Sequence, residues 1–249
     1  MTATLLELGP VAGERSAQAI VDRLRLAEGA VDGRPGVAAV MIASADGRAA
    51  VGGSSAPLGN PADTALLREL RAGVDAILVG TGTLRAERYA NLLDDEQRER
   101  RAARGLEPEP IVTTIARGGD VPLDVPLFAE PDARIQVYTE AEATVDAPGA
   151  DVAVHRFVPG GADPGAVLHH LAAERAVRSV LCEGGPTLLR ALVATACIDH
   201  FLLTLAPLLA AGSAPAVLEG VALDPPARLR LRAVHRAGEH LFSHYVPAP

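Results

Sequence analysis

The residues best suited to chemistry follow a short apolar stretch near position 180. Val180 to Cys182 is predicted to be a buried strand, and Glu183-Gly184-Gly185-Pro186-Thr187 comes directly after it. A proline that begins a helix leaves the free N–H groups and the positive end of the helix dipole facing the end of that strand, which favours an anion such as phosphate. The alternative is a tight strand-to-helix turn without a ligand.

Glu183 adds a carboxylate beside this turn. A carboxylate here could accept hydrogen bonds from an amino-bearing ring or take part in proton transfer. It could equally cap a neighbouring helix.

Two further turns follow predicted strands. Gly80-Thr81-Gly82-Thr83 comes after Ala76 to Val79, but Arg85 stands where a dinucleotide fingerprint needs its third glycine, so the stretch predicts only a second backbone-lined edge for a ligand. Ser44-Ala45-Asp46-Gly47-Arg48 follows the first predicted strand. It is either a plain Asp-Gly turn or a third part of a site.

Composition excludes several kinds of function. All 23 residues counted as lysine or arginine are arginines, which excludes the P-loop, lysine Schiff bases and serine–lysine hydrolysis. A formal charge of −8 and 3% aromatic residues argue against a nucleic-acid partner, because phosphate backbones attract basic surfaces and bases stack on aromatic rings. The sequence has neither a Gly-x-Ser-x-Gly elbow nor a zinc-deaminase signature, so serine-hydrolase and zinc chemistry have no candidate residues.

Location is predicted from the same sequence. No apolar run approaches the ~18 residues of a membrane span, and Met1 to Pro10 lacks the pattern of a signal peptide. The two cysteines, Cys182 and Cys197, lie in apolar stretches and are predicted to be core residues, since free cysteine behaves as a small apolar side chain. We therefore expect a protein of the reducing cytoplasm.

Alternating strands and helices must position these turns. Helical patterns are predicted at Gly13 to Leu26, from Asn60-Pro61 to Gly73, within Asp94 to Arg104, at Pro164 to Arg175 and at Pro186 to Ala194. Strands are predicted at Val37 to Ala43, Ala76 to Val79, Ile111 to Thr114, Arg134 to Tyr138, Val152 to Phe157, Val180 to Cys182, His200 to Leu205, Arg228 to His235 and Leu241 to Val246, with Ala237-Gly238 as a hairpin turn. This order predicts an α/β fold, one mainly parallel sheet with helices on both faces and a C-terminal antiparallel hairpin.

The chain resembles a known family over about Gly36 to Val246. It is similar to stand-alone members of the riboflavin-pathway pyrimidine reductases, the reductase domains of bifunctional deaminase-reductases. The resemblance rests on Val40 to Arg48, on Leu70-Arg71-Ala72 with Ala76 to Thr83, and on Glu183 to Leu188 with Asp199 and Ala206-Pro207. It implies a dihydrofolate reductase-like domain at 36–249 after an N-terminal helical extension at 1–35, a homodimer, and NADPH as the cofactor. The apolar Phe201 to Ala211 stretch could supply a surface for the dimer.

The resemblance also assigns site residues. Asp46, Ser55, Arg71 and Glu183 match positions that face the substrate, and Asp46 or Glu183 would be catalytic. The cofactor would lie along Ile42, Ala43, Gly80, Thr81, Thr83, Glu87, Thr114, Arg117, Gly184, Gly185, Pro186, Thr187 and Leu188.

One departure from the family leaves more than one substrate to consider. Where riboflavin reductases carry an arginine for the substrate phosphate, this chain has Asp94; either Arg88 takes its place or the substrate has no phosphate at that end. The leading hypothesis is NADPH-dependent reduction of an aminopyrimidine ribosyl phosphate of the 5-amino-6-(5-phosphoribosylamino)uracil type. The alternatives are reduction of a pterin or folate such as dihydrofolate, and a non-catalytic NADP-binding protein.

Overall fold

The fold is built on a single nine-stranded sheet. The computed structural model describes residues 15–248 apart from positions 32, 143, 144, 146 and 148. Its strands are β1 (Gly36–Ser44), β2 (Ala76–Leu78), β3 (Ile111–Ile115), β4 (Arg134–Thr139), β5 (Asp151–Arg156), β6 (Ser179–Cys182), β7 (His200–Ala206), β8 (Leu229–Ala237) and β9 (His240–Pro247). They lie in the order β5-β4-β3-β2-β6-β1-β7-β9-β8. The first seven are parallel, and β9 and β8 continue the sheet antiparallel.

Helices cover both faces of this sheet. They are α1 (Ala17–Asp22), α2 (Pro61–Ala72), α3 (Thr81–Glu87), α4 (Asp95–Ala103), α5 (Pro164–Arg175) and α6 (Pro186–Ala194). Successive residues of β1 contribute to opposite faces: Ala38 packs in the core under α2 and α3, and Val37 and Ala39 pack in the core under α5 and α6. Because both faces of β1 are buried, the strand appears in the sequence as an unbroken run of small and branched apolar residues.

The helices α2, α5 and α6 begin at the capping residues and prolines that the sequence predicts. The Asn60 side chain accepts a hydrogen bond from the Asp63 N–H at the start of α2, and Gly73 ends that helix. Proline occupies the first turn of α2, α5 and α6, where its missing N–H costs nothing.

Several element predictions need correction. The N-terminal helix is only Ala17–Asp22, and residues 13 and 14 of the predicted span lie outside the described part of the chain. The Gly80-Thr81-Gly82-Thr83 stretch is the first turn of α3, not only a loop. The charged stretch within Asp94 to Arg104 forms α4, and its Arg101 is buried and donates to the carbonyls of Ala72 and Val74 at the end of α2. The closing hairpin turns at Gly238-Glu239, one residue later than predicted.

The predicted fold class is confirmed: a mainly parallel α/β sheet with helices on both faces and a C-terminal antiparallel pair. Within the described residues, no helix is both long and apolar enough to span a membrane.

Candidate active site

A large cavity lies at the carboxyl ends of the parallel strands. Its volume is about 920 Å³, and residues that follow or end β1, β2, β3 and β6 line it. This edge is where open α/β sheets bind their ligands, because the loops that leave parallel strands diverge there. The cavity is large enough for a dinucleotide-sized or drug-sized ligand.

One side of the cavity is formed by the glycine-rich turns after β2 and β6. The Gly80 N–H donates to the Gly184 carbonyl over 2.8 Å, which holds the two turns together. A Cβ on Gly80 would lie 3.2 Å from the Gly185 nitrogen, and a Cβ on Gly185 would lie 3.0 Å from the Thr83 hydroxyl. The turns therefore need glycine for their close approach, and Gly184 needs it also for its φ of +82°.

The N-terminus of α6 opens into the same side. No side chain of the described residues caps this helix, whose N-cap is Gly185. Gly185, Pro186, Thr187 and Leu188 line the cavity. The first-turn N–H groups of an uncapped helix, with the positive end of its dipole, favour a phosphate or another anion.

Glu183 lies on the cavity wall in a buried cluster with Arg71 and Tyr89. Arg71 donates twice to its carboxylate, from Nε over 2.8 Å and from Nη2 over 2.6 Å. The Tyr89 hydroxyl donates to the same carboxylate, and the Arg71 guanidinium lies 5.1 Å from the Tyr89 ring centre. The Glu183 side chain is only 3% exposed and that of Arg71 15%.

This cluster also fixes protonation states. Burial opposes the charge of Arg71, but the Glu183 carboxylate more than offsets it and raises the Arg71 pKa above its usual value. Burial and the neighbouring Glu183 charge raise the pKa of Tyr89 well above its usual value. Arg71 is therefore a permanent cation and Tyr89 a neutral hydrogen-bond donor, and Arg71 lies behind Glu183, away from the cavity lining.

Glu87 organises a loop on the opposite wall. Its carboxylate accepts from the Ser55 N–H over 2.7 Å and from the Ser54 hydroxyl over 2.9 Å. Both Glu87 and Ser55 line the cavity. Glu87 thus ties the end of α3 to the loop that carries Ser55.

Asp46 holds the 207–228 loop against the end of β1. One carboxylate oxygen accepts from the Ser44 hydroxyl over 2.6 Å and from the Ala210 N–H over 2.9 Å, and the other accepts from the Ala211 N–H over 2.7 Å. These donors, the Ser44 hydroxyl first, hold the pKa of Asp46 well below its usual range. Asp46 lies outside the cavity lining, whereas the loop it holds contributes Pro215, Glu219, Gly220 and Val221 to it.

Arg117 lies at the mouth of the cavity after β3. Its side chain is 55% exposed, and its Nε donates to the Ala162 carbonyl over 3.2 Å and lies 3.7 Å from Glu140. Thr114, its predicted neighbour at the cofactor, is fully buried in β3, away from the lining, and its hydroxyl has no partner among the described residues.

Asp63 is a cavity residue that the sequence did not single out. It lies in the first turn of α2, and its carboxylate faces the cavity beside Thr204 of β7. Burial raises its pKa, and a hydrogen bond with Thr204 and the charge of His240 partly oppose that effect. An acidic residue at a helix start is an ordinary capping signal, so its contact with the remote Thr204 could be found only in the folded chain.

The structure therefore brings together most of the predicted site residues. Twelve of them line the cavity: Ile42, Ser55, Gly80, Thr81, Thr83, Glu87, Arg117, Glu183, Gly185, Pro186, Thr187 and Leu188. The other five are not part of this lining: Ala43, Asp46, Arg71, Thr114 and Gly184.

Charge is distributed unevenly along the cavity. Of the described lining residues, the basic ones are Arg117 and Arg190, whereas Asp63, Glu87, Glu183 and Glu219 are acidic. Arg88, considered above as a phosphate ligand, pairs with Asp124 at the exposed surface, and Asp94 caps α4. The end near Asp63 is thus carboxylate-rich. The end near α6 combines the uncapped helix N-terminus with Glu219, whose N–H donates to the Pro186 carbonyl.

Fold and site together define the class. A mainly parallel α/β sheet with an anion-binding helix end and a carboxylate-lined pocket in one cavity is the arrangement of an enzyme that takes a phosphate-bearing ligand beside a polar small molecule. The chain belongs to the RibD C-terminal domain family, whose model matches residues 35–242. The predicted family is confirmed.

Individual relatives are consistent with this assignment. The chain is 28% identical over 184 residues to the 2,5-diamino-6-ribosylamino-4(3H)-pyrimidinone 5′-phosphate reductase of Archaeoglobus fulgidus, a match covering 71% of this chain and 81% of the relative. A pyrimidine reductase-like protein from Corynebacterium diphtheriae superimposes with a TM-score of 0.77 at 23% identity, covering 94% of this chain and 100% of that one. The Saccharomyces cerevisiae riboflavin biosynthesis reductase Rib7 gives a TM-score of 0.66 at 18% identity, with 92% and 98% covered. The two structural matches show a shared fold.

Proposed function

We propose that this protein is a riboflavin-pathway pyrimidine reductase that uses NADPH to reduce an aminopyrimidine ribosyl phosphate of the 5-amino-6-(5-phosphoribosylamino)uracil type. The observation that carries the proposal is the single cavity that joins an uncapped helix N-terminus to a carboxylate-lined pocket, in a chain of the RibD C-terminal domain family.

The residues present fit a nicotinamide dinucleotide phosphate. The Thr187 and Leu188 N–H groups and the Thr187 hydroxyl would hold its pyrophosphate, and Gly80 and Gly185 keep the space open. Arg117, more than half exposed at the mouth, would pair with the additional phosphate of the adenosine. Ile42 of β1, which lines the cavity, would border the nicotinamide. Thr81, Thr83 and Glu87 would lie along the cofactor.

When bound, the cofactor would supply the hydride that reduces the sugar carbon of the open-chain carbonyl or imine form of the substrate. The remaining requirements are orientation and one proton. Ser55 and Glu183 line the pocket and would hold the aminopyrimidine ring. Arg71 and Tyr89 fix the Glu183 carboxylate as an acceptor for amino groups, so its role is to orient the ring and Arg71 acts through it. Holding the two reactants in place supplies much of the rate.

The proton is better assigned to Asp63 than to Asp46. Asp46 accepts three hydrogen bonds, its pKa is depressed, and it lies outside the cavity lining. Asp63 lines the cavity and has a raised pKa because of burial. A carboxyl group with a raised pKa keeps its proton to higher pH than an ordinary aspartate, and it could give that proton to the heteroatom of the reacting C=O or C=N bond.

An assay of NADPH oxidation tests the proposal. Purified protein is supplied with NADPH and the aminopyrimidine ribosyl phosphate, and loss of nicotinamide absorbance is followed with product identification by mass spectrometry. We expect turnover, with NADH less effective than NADPH. Tight NADPH binding without turnover on any pyrimidine or pterin would instead support a non-catalytic NADP-binding protein.

A second candidate is a reductase of a pterin or folate such as dihydrofolate. The carboxylate-rich end near Asp63 favours this candidate. Among the described residues that line this end, none is a free cation that could hold a substrate phosphate. Running the same assay with dihydrofolate separates the two. Turnover on dihydrofolate without turnover on the ribosyl phosphate would replace the first candidate by the second.

We propose that the protein is a homodimer and that it is located in the reducing cytoplasm. Each chain would consist of one reductase domain, 36–249, preceded by an extension at 1–35. Leu208 and Leu209, in the apolar stretch after β7, are 43% and 84% exposed. A second copy would cover such leucines. Light scattering after gel filtration would give the mass of one or two chains.

A further inference from the structure

The closing hairpin of the sheet is attached to the helix that carries Asp63. The His240 Nε2 donates to the Leu58 carbonyl over 2.9 Å, and the Asn60 Nδ2 donates to the Ala237 carbonyl over 3.2 Å. Because a carbonyl can only accept, the hydrogen of His240 in this contact is on Nε2. Two hydrogen bonds therefore join the β8–β9 turn to the segment just before α2.

The same segment fixes the Asp63 carboxylate. Asn60 accepts from the Asp63 N–H over 2.9 Å, and a Cβ on Gly59 would lie 3.3 Å from the Asp63 Oδ2. On the other side Asp63 meets Thr204, which pairs with Ile42 of β1 and Phe242 of β9 in the sheet. The position of Asp63 thus depends on the start of β9 in two ways, through Thr204, which pairs with Phe242, and through the hairpin turn at His240.

We propose that His240 is a positioning residue of the active site, which holds the start of α2 so that Asp63 faces the substrate. This inference rests on the proposed function. His240 touches the Leu58 backbone, not the cavity lining, and acts through Asp63. A charge on His240 also favours the ionised carboxylate, in opposition to burial.

Two substitutions separate the hydrogen bond from the charge. In His240→Ala both are lost, whereas in His240→Gln the amide nitrogen takes the place of Nε2 and keeps the donor to Leu58. We expect His240→Ala to lower kcat/KM for the reduced substrate about fivefold to tenfold, as for one lost buried hydrogen bond, with the NADPH dissociation constant unchanged. We expect His240→Gln to restore most of this loss.

A third variant, Asn60→Ser, examines the hydrogen bond from Asn60 to Ala237. Asn60→Ser keeps a cap acceptor for α2 but loses the donor to Ala237, so kcat/KM should fall in the same direction. His169→Ala is the control, because His169 contacts only the exposed Gly33 carbonyl among its described hydrogen bonds and should behave as wild type.

The pH dependence distinguishes positioning from general destabilisation. The groups that act on the Asp63 carboxyl are Thr204 from β7 and His240 from the hairpin. Without the imidazole, in either variant, the pKa of Asp63 measured by ¹³C NMR should rise, whereas only His240→Ala should move the Asp63 amide resonance. Wild-type kcat/KM in His240→Ala, or an equal loss in His240→Gln, would overturn the proposal.

Failure of the proposed function would be seen separately. If the wild-type protein oxidises NADPH with neither the pyrimidine nor dihydrofolate, the function is wrong. The His240 inference is then decided by the NMR titration alone: an Asp63 pKa and amide resonance that are the same in all variants would refute it.

Discussion

Removing the charge of Glu183 should lower the free energy of unfolding of the protein. Glu183→Gln keeps the size of the side chain but leaves the Arg71 cation, 15% exposed, without its counter-charge. Breaking a buried ion pair by removing one partner costs about 3–5 kcal/mol. The amide can still accept one hydrogen bond and the Tyr89 ring still faces the guanidinium, so we expect a loss of about 3 kcal/mol in the free energy of unfolding, at the lower end of that range. For a domain of this size that loss lowers the melting temperature by about 6–12 °C.

Urea unfolding of four proteins measures this effect: wild type, Glu183→Gln, Arg71→Met and the double variant. Because the two residues share one interaction, the double variant should be about 1–3 kcal/mol more stable than the sum of the single losses predicts. Glu69→Gln is the matched control, since its pair with Arg100 is more exposed and should contribute about 1 kcal/mol or less. Additive losses at Arg71 and Glu183, or a Glu183→Gln midpoint equal to that of wild type, would refute the buried-pair reasoning.

Three further predictions concern the site. Gly185→Ala places a Cβ 3.0 Å from the Thr83 hydroxyl and should raise the NADPH dissociation constant, measured by calorimetry, about tenfold. The control is Gly29→Ala, whose Cβ would have an ordinary contact at 3.8 Å and which should leave that constant unchanged. Asp63→Asn should lower kcat about 100-fold with unchanged NADPH affinity. The kcat of the wild type should fall as pH rises through the raised pKa of Asp63. An Asp63→Asn variant with the same pH profile of kcat as the wild type would count against Asp63 as the acid. Asp46→Asn should raise KM for NADPH and lower the melting temperature at neutral pH. Since the folded-state pKa of Asp46 is depressed, that thermal difference should be complete above about pH 4 and vanish as pH falls toward the folded pKa; a difference that persists in acid would contradict it.

Local signals were sufficient for two helices that border the cavity, α2 and α6. Asn60-Pro61 and Gly73 bound α2, and Gly185-Pro186 begins α6 as predicted. The glycines that predicted a loop at Gly80 to Thr83 concealed the start of α3, because glycine is a poor helix former and the packing of Leu84 in the core stabilises the turn instead.

Contacts between remote segments could not be predicted in the same way. Two hydrogen bonds from the 207–228 loop to Asp46 make that residue an anchor, although its position beside a strand end suggested chemistry. Arg71 was predicted to face the substrate, and its pairing with Glu183 became visible only when α2 and β6 were placed side by side. The contact of Asp63 with Thr204 likewise depends on the order of strands in the sheet.

The most direct test of the central claim is isotope transfer from the cofactor. The protein is incubated with the aminopyrimidine ribosyl phosphate and NADPH deuterated at the transferable position, each of the two stereoisomers being used in turn. Our account predicts that one stereoisomer gives a ribityl product carrying a single deuterium on the former sugar carbonyl carbon, seen by mass spectrometry and NMR. Product without deuterium from both stereoisomers, or no product while NADPH stays unoxidised, would contradict it.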